Sequence, residues 1–115
     1  MKITVLVLMV FTVFSCVQPT YERILMIKLD VSKQQDIKTV GIRGETPLSW
    51  RSDLPMEEIV KDSLYGLTLT STTGYLFAEC KFTVNGQPEL KNKGNRKIFF
   101  TGDTTYVNVV FDVEK

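Results

Sequence analysis

Alternation of apolar and polar side chains is the strongest pattern in the chain. Apolar residues recur at every second position in three segments, YERILMIKLDV, YGLTLTS and TYVNVVFDV. This period is typical of a β-strand with one buried face. The side chains predicted to point inward are Tyr21, Leu25, Ile27, Leu29 and Val31 in the first segment, Tyr65, Leu67 and Leu69 in the second, and Val107, Val109, Phe111 and Val113 in the third.

Shorter β-rich runs, TVGI, LFAECKFTV and KIFF, lie between these segments and are separated by turn-forming residues. Asn85-Gly86 is the clearest hairpin signal, because both residues tolerate the positive φ of a tight turn. In LFAECKFTV, Cys80 shares one face with Phe82 and Val84, which predicts a buried thiol. Strands about ten residues apart predict an all-β fold, namely an immunoglobulin-like antiparallel β-sandwich of about seven strands.

One segment, MEEIVKDSLYG, suggests a helix instead. Met56, Ile59, Val60 and Leu64 fall near one stripe of a helical surface. Ser63 and Gly66 would end such a helix early, so we expect at most a short helical turn here.

The N-terminal segment resembles an export signal. MKITVLVLMVFTVFSC has one early lysine and a run of uncharged residues that is shorter than the about 20 needed to span a bilayer. Its end, VFSC, resembles the lipobox of bacterial lipoproteins, which implies acylation of Cys16; the alternative is an ordinary signal peptide with Cys16 left as a thiol. We therefore predict a signal peptide at 1–16, a spacer at 17–22 and a domain at 23–115.

Composition excludes several function classes. Lys2 lies in the leader, so the remainder carries as many basic as acidic residues, and nothing favours binding to nucleic acid. The chain contains no histidine, which removes the usual general base, most zinc sites and the histidine-activated nucleophiles. The acidic residues show neither the paired spacing expected of a glycosidase nor a recognisable set of metal ligands. We expect no enzyme activity, no metal and no cofactor.

Four short motifs, TVGIRGETPLSW, YGLTLT, ECKFTVNGQPEL and GNRKIFF, follow one another in an order that resembles the starch-binding domains, the family 20 carbohydrate-binding modules and their relatives. The resemblance covers about Thr39 to Phe111. The chain is also similar to the small sandwich domains that members of the phylum Bacteroidetes export as lipoproteins. These resemblances imply a starch-binding-domain-like sandwich, anchored in the cell envelope as an outer-membrane lipoprotein that faces the periplasm or the surface.

The resemblance also implies a sugar-binding site. Trp50 matches a tryptophan that stacks on glucose in the family, while Lys81 and Asn95 match residues that hydrogen-bond sugar hydroxyls. Leu90 takes the place of a second stacking tryptophan and offers apolar contact without an aromatic face. A tryptophan at position 90 would then be expected to strengthen binding.

Each of these residues has a structural alternative. Trp50 could close one end of the sandwich, Lys81 could be a solvent-facing strand lysine, and Asn95 could be a turn residue with left-handed backbone. Arg96 is expected to bind Glu89 or backbone carbonyls, although Glu89 and Arg96 could instead contact a ligand from an altered loop.

Two functions therefore stay open. The first is a membrane-tethered, non-catalytic module that binds starch-like or other glycans. The second is an envelope lipoprotein that keeps the sandwich, has lost sugar binding and docks another envelope protein.

Overall fold

Nine β-strands form the part of the chain that the computed structural model describes, residues 19–114. The signal peptide and the acylation predicted at Cys16 lie outside the described residues. The strands are β1 (Tyr21–Asp30), β2 (Val40–Gly44), β3 (Leu54–Pro55), β4 (Glu57–Val60), β5 (Leu64–Thr73), β6 (Phe77–Val84), β7 (Gln87–Pro88), β8 (Arg96–Phe99) and β9 (Thr104–Val110).

The first sheet has the strand order β4-β5-β1-β9. β1 pairs antiparallel with β5 along its whole length and parallel with β9. Leu25, Ile27 and Leu29 of β1 are buried, as their alternation predicted. β1 begins at Tyr21, so the strand includes two residues that we assigned to the spacer.

The second sheet has the order β3-β2-β6-β7, with β8 also paired to β6. β6 is its central strand: β2 lies along one side, and β7 and β8 share the other side. Cys80, Phe82 and Val84 of β6 are buried together, which confirms the predicted apolar face.

The apolar faces of the two sheets pack against each other, and burial of each large aliphatic or aromatic side chain contributes about 1.5–3 kcal/mol. This arrangement confirms the predicted β-sandwich. It has nine strands where about seven were expected, and two of them, β3 and β7, are only two residues long. The β1–β9 pair is parallel, which differs from the antiparallel pairing that we predicted.

The Asn85-Gly86 turn joins β6 to β7, as the sequence predicted. Both residues have positive φ, 53° and 77°, and Val84 pairs with Gln87 across the turn. The Asn85 side chain also accepts hydrogen bonds from the backbone N–H groups of Lys38 and Thr39, at 2.7 and 3.1 Å.

MEEIVKDSLYG, where at most a short helical turn was expected, contains no helix. This segment forms β4, a turn and the start of β5. A register shift between Glu58 and Val60 interrupts the alternation, so two consecutive apolar residues, Ile59 and Val60, are both exposed. Adjacent apolar residues at such a bulge have a spacing in the sequence that resembles a helical stripe.

Two residues at the ends of the predicted strands do not point inward. Tyr21 and Val113 are exposed. Tyr21 is the first residue of β1, whereas Val113 follows β9, beyond the part of the sandwich where both sheets cover the core.

Candidate functional site

Trp50 lies in the connection between β2 and β3. The start of this connection is anchored to the sandwich: the N–H of Glu45 donates to the Glu79 carbonyl at 3.1 Å, and Leu48 packs against the core. Because Leu48 supplies the buried contact, Trp50 is left on the surface with 43% of its area exposed. The interpretation of Trp50 as a residue that closes the sandwich is therefore not supported.

Trp50 lines an open groove of about 1090 Å³ at one end of the sandwich. The turn between β5 and β6 also lines this groove, and there Tyr75 is 73% exposed. The N–H of Tyr75 donates to the Thr73 hydroxyl at 3.0 Å, which fixes the turn that carries the ring. The rest of the lining combines residues that carry hydroxyl groups with apolar residues. The former are Thr46, Ser49 and the end of β5 (Thr70, Ser71, Thr72 and Thr73), whose side chains alternate between the two faces of the strand, and the latter include Leu76, Phe77 and Phe100.

Tyr75 was missed by the sequence reasoning. Its signal was an aromatic residue directly after a turn, in TTGYLF, where no core position was expected. The two-residue alternation that identifies buried aromatics gives no information about those in loops. Tyr75 and Trp50 line the same groove because two loops that are separate in sequence lie at the same end of the sandwich.

The ammonium group of Lys81 is hydrogen-bonded to backbone carbonyls. Its Nζ donates to the carbonyl oxygens of Glu89, Leu90 and Lys93, at 3.1, 3.0 and 3.3 Å. An ammonium group has three protons to donate, so these contacts account for its hydrogen-bonding capacity. Lys81 thus holds the connection between β7 and β8, residues 89–95, which we call the lysine-held loop.

Leu90 and Asn95 lie in the lysine-held loop, but they differ in exposure. Leu90 is buried, at 5% exposure, and has a positive φ of 52°. Little of its surface is therefore open to a sugar, and a tryptophan in its place would overpack a filled site instead of completing a platform. Asn95 is exposed but has no positive φ; the loop residues with left-handed backbone are Leu90 and Asn92.

Glu89 and Arg96 form a buried ion pair, as the sequence analysis expected. Arg96 donates to both carboxylate oxygens of Glu89, at 2.7 and 2.8 Å, and to the Val110 and Val113 carbonyls. The same carboxylate accepts from the N–H groups of Phe82, at 3.0 Å, and Asp112, at 3.0 Å. The pair therefore joins the second sheet to the segment that follows β9, and it is not available to contact a ligand.

The four residues inferred from the resemblance do not form one surface. Lys81 contacts the backbone of Leu90, but Trp50 lines the groove described above. Leu90 and Asn95 line a second groove, between β8 and β9. Of the four, Trp50 alone lies on the wall of the aromatic and hydroxyl-rich groove.

Cys80 is a free, buried thiol. Burial, with a smaller contribution from the nearby Glu89 carboxylate, raises its pKa to about 12. Residues 19–114 hold no group of three or more Cys, Asp or Glu side chains placed to bind a metal ion. The same residues include no helix long and apolar enough to cross a membrane.

Comparison with protein-family models gives no match, and comparison with curated proteins also gives none. The likeness to starch-binding domains accordingly stays a prediction.

Proposed function

We propose that this chain is a non-catalytic binding protein of the cell envelope that holds a neutral glycan in the groove between Trp50 and Tyr75. The observation that carries the proposal is the exposure of two aromatic rings, from separate loops, on the walls of one groove. The ligand class follows from three properties of that groove.

The first property is the pair of aromatic faces. Exposed aromatic side chains are costly in water, and rings that line a concave surface are typical of binding sites. The C–H groups on one side of a pyranose ring form a flat apolar face, and they complement the electron-rich face of an indole or phenol.

The second property is the density of hydroxyl groups. Each serine or threonine hydroxyl both donates and accepts a hydrogen bond. Sugar hydroxyls have the same dual capacity, so the hydroxyl-bearing residues among the lining, such as Thr46 and Ser49 in the Trp50 loop and alternate residues at the end of β5, suit a polyhydroxylated ligand.

The third property is the low charge of the walls. Among the described residues that line the groove, Glu45 alone carries a charge. An anionic ligand would have no cation to balance it there, so we propose a neutral sugar chain.

The envelope location rests on the sequence. Acylation of Cys16 would attach several acyl chains to one residue. Because a single chain binds a membrane only weakly, several chains together would hold the binding domain there. The chain would then act as a tethered accessory that concentrates a glycan for other proteins.

A second candidate function has its own support. Two of the residues inferred from the resemblance have structural roles: Lys81 hydrogen-bonds the backbone, and Leu90 is buried. This fits an envelope lipoprotein that keeps the fold, has lost sugar binding and docks another protein.

A glycan array distinguishes the two functions. We expect the purified full-length chain, in mild detergent, to bind neutral glucans, and Trp50→Ala and Tyr75→Ala each to abolish the signal. Ile59→Ala is a control, because Ile59 is an exposed apolar residue of β4 that does not line the groove, and it should bind like the wild type. Binding that survives both groove substitutions would show that the sugar is held elsewhere and would overturn the proposed site, and no binding to any neutral glycan would favour the interaction protein.

A further inference from the structure

The outer edge of β9 is an unprotected strand edge. Within the described part of the chain, β9 pairs with β1 and with no other strand. The carbonyl of Asp103 accepts from Ile24 at 2.8 Å, and the N–H of Phe111 donates to Asp30 at 2.9 Å. In a parallel pair, alternate residues direct both backbone groups to the same neighbour. The odd-numbered residues of β9 therefore face β1, and the even-numbered ones face away.

The outward backbone groups of Thr104, Tyr106 and Asn108 consequently have no strand beside them among residues 19–114. At the next even-numbered position the Val110 carbonyl already accepts from Arg96, at 2.8 Å, which ends the free stretch. A groove of about 830 Å³ separates this edge from β8. Another strand could therefore add to the first sheet at β9.

The sequence of β9 lacks the features that usually prevent such addition. TTYVNVV contains no charge, proline or glycine, and it is rich in residues with high β-propensity. The edge strands of other proteins are commonly protected by charges, prolines, bulges or short length. The other edges of this sandwich have these protections: β4 has a bulge and two glutamates, β3 and β7 are two residues long with a proline each, and β8 carries Arg96 and Lys97.

We propose that β9 pairs with β9 of a second copy of this chain, antiparallel and about a two-fold axis at Tyr106. In this register Tyr106 lies opposite Tyr106 of the second copy, and Thr104 lies opposite Asn108. Each of the three outward-facing residues then exchanges both backbone hydrogen bonds with its partner. A two-fold interface requires one surface patch to be complementary to itself, and an uncharged strand with free groups at alternate residues meets that requirement.

The side chains of the paired residues suit this register. Tyr106 is 70% exposed on the outer face of the first sheet, and aromatic pairs directly across two strands are stabilising. Thr104 and Asn108 are both polar and uncharged, so the register brings no like charges together.

Sedimentation velocity of the full-length chain in mild detergent tests the proposal. We expect wild type to be dimeric and Tyr106→Lys to be monomeric, with dimer affinity weakened by more than about tenfold because two like charges face each other across the axis. Thr68→Lys is a matched control, since Thr68 is exposed on the same face of the sheet but on an interior strand, paired with Met26. That variant should remain dimeric.

A charge-swap mixture tests the register independently of folding. Tyr106→Glu should also be monomeric alone, whereas an equimolar mixture of the Lys and Glu variants should form heterodimers. A monomeric wild type, a dimeric Tyr106→Lys, or a mixture that stays monomeric would each overturn the proposal. Glycan binding plays no part in this readout, so the interface and the proposed function can fail separately.

Discussion

At the scale of single residues, the alternation in β6 determines both the burial and the reactivity of the Cys80 thiol. Its burial beside Phe82 followed from alternation in LFAECKFTV and is confirmed. The raised pKa is a consequence of that burial, because the thiolate loses the hydration that stabilises it.

We predict that Cys80 is inert to a thiol reagent in the folded protein. With a pKa of about 12, almost none of the thiol ionises near neutral pH, and the thiolate is the reactive form. Reaction with an aromatic disulfide reagent should be slow in buffer and complete within minutes in denaturant. To exclude a contribution from Cys16, the comparison uses Cys80→Ala measured in parallel. Rapid labelling of Cys80 in buffer would show that the strand is not packed as described.

Lys81 is a residue whose position could be predicted from the sequence but whose role could not. Alternation placed it opposite the buried face of β6, where solvent or a ligand was the expected partner. Its actual partners are carbonyls eight to twelve residues further along the chain, and their convergence depends on the path of the lysine-held loop. A linear pattern carries no information about such a path.

At the scale of elements, hydrogen bonds attach the loop between β7 and β8 to the second sheet. Its composition, KNKGN, is typical of a solvated turn. Contacts at both ends order it nevertheless: the Leu90 N–H donates to Asp112 at 2.7 Å, and Glu89 and Lys81 provide the contacts described above.

We predict that Lys81→Met loosens this loop and lowers the free energy of unfolding by about 1–3 kcal/mol, the range for losing hydrogen bonds from a charged, partly buried donor. Amide hydrogens in residues 90–95 should exchange faster, while the circular dichroism of the sheets stays unchanged. Lys28→Met, at an exposed strand position, is the control and should change neither quantity. Equal stability of the two variants would contradict the assigned role.

The strands show the same division between local and distant information. Alternation located β1, β5, β6 and β9, because one face of each packs on the core. It failed at β4, where a bulge that depends on pairing with β5 makes adjacent apolar residues resemble a helical stripe. Local periodicity therefore predicts strands that are regular, and it misses those whose register is set by a neighbour.

At the scale of the whole molecule, the proposed site belongs to no single strand. The Trp50 loop follows β2 and the Tyr75 turn precedes β6, and the groove exists because both loops emerge at the same end of the sandwich. The sequence identified Trp50 as unusual, but only the fold shows that Tyr75 lines the same groove. The proposed dimer edge is of the same kind, since the exposure of β9 depends on the strand order of the first sheet.

Titration of the tryptophan fluorescence with neutral oligosaccharides, including α- and β-linked glucans, tests most directly whether the groove binds a glycan. Trp50 is the only tryptophan of the chain, so the emission reports on the groove itself. We predict a saturable change with at least one glucan, with a Kd on the order of 1 mM, since two aromatic faces and a few hydroxyls make a small contact. Tyr75→Ala should eliminate the change, and Ile59→Ala, at an exposed position outside the groove, should preserve it. An emission spectrum that no neutral oligosaccharide alters, or a change that persists in Tyr75→Ala, would contradict the account.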